Sequence, residues 1–316
     1  MAGTVRRDRC SRPARQRWRA FCLCPWPPVW LVGCALCLLC APLGASVTVT
    51  DDAGRTVVLE APAERIVTLA PHLAEMLFAV GAGAQVVGVS RYSDYPEAAQ
   101  RLPRIGDARG VDMEAVLALE PDLVVAWGSA PQEGAARRLQ SLEIPVFFSE
   151  PDSLAAIGDT MQRLGQLAGH AQQASRVAAR LREDVDALAR RYRVPDDERL
   201  RVFYEVWHQP LMTVGGNHFI SEVIELCGGR NIFAALEAAS PRVDIEAVLA
   251  SDPQVIVGTA VDSDDASLAR RWAAYPDIRA VSQQHVFTLP PDLIGRPTPR
   301  LLTGARQLCE GLENAR

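Results

Sequence analysis

A fifteen-residue stretch occurs twice in this chain, and the duplication limits what it can fold into more than any other feature. Met113-Glu-Ala-Val-Leu-Ala-Leu-Glu-Pro-Asp-Leu-Val-Val-Ala-Trp127 aligns without a gap on Ile245-Glu-Ala-Val-Leu-Ala-Ser-Asp-Pro-Gln-Val-Ile-Val-Gly-Thr259. In each copy, apolar residues at helical spacing run up to a proline, Pro121 or Pro253, which cannot continue a helix. A β-branched run then reads as a buried strand. A second matched pair lies upstream in the same order, Glu75 to Gly81 and Glu222 to Gly228, each a helix end closed by glycine. A helix feeding a buried strand, written twice, predicts an α/β fold class: two similar α/β lobes, each with a central, mainly parallel sheet.

Between the copies, Asp152 to Arg193 contains no proline and carries apolar residues at i, i+3 and i+4, among them Ile157, Met161, Leu164, Val177, Leu181 and Leu188. The pattern predicts one long backbone helix joining the lobes, about 35 to 40 residues and about 55 Å at 1.5 Å per residue. Pro195-Asp196-Asp197 ends it, and Leu200 to Val206 reads as the first strand of the second lobe. The layout is a leader over 1–45, an N-terminal lobe over 46–151, the inter-lobe helix over 152–194 and a C-terminal lobe over 195–316. Near the start, Val47 to Thr50 and Thr56 to Leu59 flank Asp51-Asp-Ala-Gly54, a hairpin signal.

The leader differs from everything after it. Seven arginines between Arg6 and Arg19 precede an apolar run from Val29 to Leu39, and small residues follow up to Ser46. The run is roughly 11 to 13 residues, whereas a membrane-spanning helix needs about 20, so the segment reads as a signal peptide cleaved near Ala45. A permanent anchor and lipid attachment at Cys34 are the alternatives. Export implies a periplasmic location. Removing seven arginines and Asp8 moves the net charge from −5 to about −11. Such a chain offers no basic footprint for nucleic acid. Six of the eight cysteines lie in the leader, which leaves Cys227 and Cys309. An even pair in an oxidising compartment is expected to form a disulfide, with two buried free thiols as the alternative.

Catalytic and metal signatures are missing. The five histidines, His72, His170, His208, His218 and His285, show no zinc-motif spacing. There is no Gly-x-Ser-x-Gly elbow and no phosphate-binding glycine loop. Gly81-Ala-Gly83 follows a helix and precedes a strand, the reverse of a dinucleotide fingerprint. The expectation is no enzyme, no catalytic residues and no metal site.

From about Arg65 to the C-terminus the chain resembles the periplasmic substrate-binding proteins with a helical backbone, and among them those serving cobalamin import. The resemblance is carried by Arg65-Ile-Val-Thr-Leu-Ala-Pro71, Gly88-Val-Ser-Arg-Tyr-Ser-Asp-Tyr-Pro96, Glu114 to Trp127, Glu225-Leu-Cys-Gly-Gly-Arg-Asn-Ile-Phe233 and Pro297-Thr-Pro-Arg-Leu-Leu302. It implies a monomeric receptor that holds cobalamin or a related corrinoid in the inter-lobe cleft and hands it to an ABC-transporter permease in the inner membrane. The corrinoid is then cargo, with no resident cofactor. By the same resemblance Tyr92, Trp127, Trp207 and the loop Asp292, Leu293, Ile294, Gly295 and Arg296 are the ligand-binding residues, with Trp207 aligned only approximately. Glu114 and Glu246, equivalent in the two repeats, are the permease-docking carboxylates. The chain departs from the pattern at Ala108, Ser240 and Leu293, where cleft tryptophans are expected. That keeps haem or a ferric siderophore open as the ligand, and a periplasmic metal-handling protein using His72, His208 and Asp292 as a further alternative.

Overall fold

The computed structural model describes residues 46–107, 109–128, 132–259 and 266–316. The expected leader, together with Ala108, lies outside the described residues. Strands β1 (Val47–Thr50) and β2 (Thr56–Leu59) form the expected antiparallel hairpin. Its turn is held by the Asp51 carboxylate, which accepts from the backbone N–H of Ala53 and Arg55.

The N-terminal lobe then runs β3 (Ile66–Thr68), α1 (Pro71–Ala79), β4 (Val86–Val89), the short ribbon β5 (Gly106–Asp107) and β6 (Gly110–Val111), α2 (Met113–Ala118), β7 (Leu123–Trp127), α3 (Glu133–Ser141) and β8 (Val146–Ser149). After the helices α4 (Leu154–Leu167) and α5 (Ala171–Arg191), the C-terminal lobe runs β9 (Leu200–Glu205), α6 (Phe219–Leu226), β10 (Gly229–Asn231), α7 (Ile245–Ser251), β11 (Val255–Thr259), α8 (Ala266–Trp272), α9 (Arg279–Ser282), β12 (Val286–Leu289), α10 (Pro291–Ile294) and α11 (Leu301–Asn314).

The sheets have the orders β4-β3-β7-β8 and β10-β9-β11-β12, and every neighbouring pair in both is parallel. Counted along the chain, each order is second, first, third, fourth, so the sequence duplication corresponds to two lobes of one topology. The repeated segments become α2 with β7 and α7 with β11, and the strands are fully buried over Leu123–Ala126 and Val255–Gly258. Gly81 and Gly228 both take left-handed backbone just beyond α1 and α6, as the upstream pair predicts.

One expectation is corrected. The single long backbone helix is two helices, α4 and α5, with Gly158 and Gly165 of the first lying against Ala178 and Ala174 of the second in antiparallel order. The reversal falls at Gly169, whose φ of +76° is a conformation that closes a helix and that other residues enter at a cost. The apolar period continues through the break because both arms face one core, so periodicity alone does not register the change of direction. That core is continuous through both lobes, joining Leu73 and Met76 of α1, Leu164 of α4, Leu188 of α5, Val202 of β9 and Leu308 of α11. At 21 residues, α5 spans about 31 Å.

Candidate functional site

Open parallel sheets bind ligands beyond the C-terminal ends of their strands, where the strand order reverses. Here that point lies between β3 and β7 in one lobe and between β9 and β11 in the other. Trp127 ends β7 and is 41 % exposed, with the ring of His72, from the first turn of α1, edge-on at 5.2 Å. His72 itself is buried and its Nε2 has no partner among the described residues. Burial first, and then the charge of Arg296, lowers its pKa to about 3, so the ring is neutral at pH 7.

Trp207 follows β9 and is 53 % exposed, its indole N–H donating to the Gln209 carbonyl at 2.9 Å. Tyr92 lies on the loop after β4, 67 % exposed, with φ at +64°. This loop is clamped from two sides. Arg104 Nη1 donates to the carbonyls of Ser90 and Ser93, and Arg296 Nη2 reaches the carbonyl of Tyr92 at 3.3 Å. Three exposed aromatic rings thus stand at strand ends or on the adjoining loop, as the sequence suggests.

The loop Asp292 to Arg296 divides in its roles. Ile294 is fully buried in the common core and offers its side chain to packing rather than to a ligand. The backbone of Leu293 lies directly against α11 at Gly304, where a Cβ would come within 2.9 Å of it, so this helix sets the loop's position. Gly295 is exposed and Leu293 half-buried. Arg296 is engaged inward: Nη1 donates to Glu75 Oε1 at 2.6 Å and to Asp94 Oδ1 at 2.9 Å, and Nη2 pairs with Asp292 at 2.5 Å. Thr298 Oγ1 donates to Glu75 Oε2, and Arg300 Nη1 reaches Glu75 Oε1 at 3.3 Å while its guanidinium sits 4.0 Å over the Tyr95 ring. Tyr92 and Asp292 are therefore brought together by Arg296, which Glu75 anchors from the other lobe.

Sequence reasoning missed the role of Glu75, although a signal exists: it is the one carboxylate in Pro71-His-Leu-Ala-Glu-Met-Leu-Phe-Ala79, and it is buried. Its repeat counterpart Glu222 also bonds outside its own helix, accepting from the backbone N–H of Leu154 at the start of α4. Glu205, 3 % exposed at the end of β9, was missed as well; it accepts from Arg271 Nη2 at 2.6 Å and from the indole of Trp272 at 2.7 Å.

Glu114 and Glu246 are exposed in the first turns of α2 and α7. One turn later each helix exposes a leucine, Leu117 at 42 % and Leu249 at 38 %. Cys227 and Cys309 form the expected disulfide, fully buried between α6 and α11. Among the described residues no group of three His, Cys, Asp or Glu side chains is placed to hold a metal ion, so His72, His208 and Asp292 do not form such a set.

The family model described as periplasmic binding protein matches residues 66–293. A vitamin B12-binding protein from Vibrio cholerae is 36 % identical over 256 residues, covering 80 % of this chain and 91 % of that protein. The crystal structure of the periplasmic vitamin B12 binding protein BtuF of Vibrio cholerae superposes with a TM-score of 0.72 at 35 % identity, covering 80 % of this chain and 98 % of that one. The periplasmic heme-binding protein RhuT from Roseiflexus, in apo form, superposes with a TM-score of 0.69 at 25 % identity, covering 80 % and 98 %. The matched span includes both sheets and the segment joining them, and on it the chain belongs to the periplasmic binding protein family.

Proposed function

We propose that this chain captures cobalamin or a related corrinoid in the periplasm and delivers it to the permease of an ABC importer, acting as a monomeric binding protein and not as an enzyme. The observation that carries the reading is the likeness, over four fifths of the chain, to proteins named for vitamin B12 binding. The geometry agrees with it: exposed Tyr92, Trp127 and Trp207 offer flat faces of the kind a large planar macrocycle stacks on. Asp292, Leu293 and Gly295 complete the lining on this reading, and Arg296 acts by holding the Tyr92 loop. The corrinoid is cargo. Glu114 and Glu246, one per lobe, are the carboxylates that meet cationic groups of the permease.

Tryptophan-fluorescence titration with cyanocobalamin tests the reading and should give saturable quenching; none up to about 100 µM overturns it. Haem is the second reading, favoured by Ser240 and Leu293 standing where cleft tryptophans are expected. The absorbance spectrum of the protein purified from its native periplasm separates the two.

A further inference from the structure

A cavity of about 270 Å³ opens in the C-terminal lobe, lined by the ends of β9 and β11, the two strands between which the sheet order reverses. An ion pair lines it: the buried Glu205 carboxylate with Arg271 Nη2 at 2.6 Å. Trp207 and His208 form one side, and Thr259 and Ser267 add hydroxyls. We propose that this cavity is a polar subsite that receives an uncharged amide group of the ligand and discriminates against a carboxylate in the same place. The proposal rests on the corrinoid reading, since a corrin ring is edged with primary amides where haem carries propionates.

The charge of Arg271 is already matched, so the pair attracts no further anion. Its side chain is 33 % exposed, however, and Nη1, which lies 3.4 Å from the Ser267 hydroxyl, carries a second N–H that can donate. A carbonyl oxygen can accept from such a guanidinium, while the amide N–H groups donate to the hydroxyls of Thr259 or Ser267. A carboxylate would give up its hydration in a cavity whose Glu205–Arg271 pair is already neutral, so no unmatched cation repays the cost of burying its charge. The exposed face of Trp207 supplies an apolar wall for the methylene stem of either group.

Calorimetric titration decides it, with cyanocobalamin and each of its isomeric monocarboxylic acids, in which one peripheral amide is hydrolysed, as ligands. On the wild type at least one isomer should bind about ten-fold more weakly than the parent, the size of one lost charge-assisted hydrogen bond. Glu205→Gln should shrink or reverse that ratio for the same isomer, because Arg271 is left uncompensated. Arg271→Met should weaken the parent by about ten-fold, and it decides alone if Glu205→Gln fails to give a cooperative thermal melt. An unchanged ratio in the folded variants overturns the subsite. If the wild type takes no corrinoid, the functional reading falls separately, and haem is compared with its dimethyl ester on the same proteins. Preference for the ester then supports the subsite, and preference for haem, or binding of neither, overturns it.

Discussion

Arg296 of the C-terminal lobe and Glu75 of the N-terminal lobe meet in a 2.6 Å ion pair with 13 % and 2 % of their side chains exposed. Two charges so shielded repay their desolvation only while both are present, and Arg300 and Thr298 share the same carboxylate. Glu75→Gln should therefore lower the free energy of unfolding in urea by about 3 to 5 kcal/mol. Combining Glu75→Leu with Arg296→Met should recover part of that loss. If the double variant is as unstable as the single one, the pair is not what the lobes depend on here.

The Cys227–Cys309 bond closes a chain separation of 82 residues and lies out of water between α6 and α11. Restricting a loop of that length in the unfolded chain is worth about 4 to 5 kcal/mol on the chain-entropy account. The double replacement by alanine should shift the urea midpoint by a corresponding amount, with the far-UV circular dichroism of the folded state unchanged. A midpoint that does not move would assign the bond no net stabilisation.

The doubled segments make the fold legible in the sequence because both copies bury a strand beside the same kind of helix, and burial writes itself as an uninterrupted β-branched run. The break at Gly169 is not legible, since α4 and α5 present their apolar faces to one core and keep one period across the turn. At the site, Trp127 and Trp207 could be placed at strand ends from pattern alone. The inward engagement of Arg296 could not, because its partner Glu75 lies 221 positions away on α1 and the two meet only once α1, α10 and α11 share one core. A lone carboxylate in an apolar helix was the available sign that a cation must be near, for buried charges are paired.

Glu114 and Glu246 sit at equivalent positions on α2 and α7, exposed to solvent. On the proposed function, replacing both by alanine should weaken capture by the cognate importer in nanodiscs by at least about ten-fold while cyanocobalamin affinity stays within about two-fold. Stimulation of the importer's ATPase by the loaded protein gives the first quantity, and calorimetry the second. Parallel loss of both quantities would show that the carboxylates serve the receptor's own structure.

Two histidines should make the protein labile to acid. Burial, with Arg296 as the smaller cause, lowers the pKa of His72 to about 3, and burial lowers that of His218 to about 4. Both are depressed below the ordinary value of 6.5, so the unfolded chain takes up protons first as pH falls. Their contribution is complete above pH 6.5 and drains away toward the folded values. At about 1.4 kcal/mol per unit and group, discounted for the partial exposure of His218, the two remove about 3 kcal/mol between pH 6.5 and 5. His218 Nδ1 also accepts from the Ile220 N–H at the start of α6, an acceptor that protonation abolishes. His218→Asn keeps a capping oxygen there without the titration, and His72→Leu removes the other group. The double variant should lose stability between pH 7 and 5 less steeply than the wild type, read from urea midpoints. Parallel curves would place the acid sensitivity in the carboxylates instead.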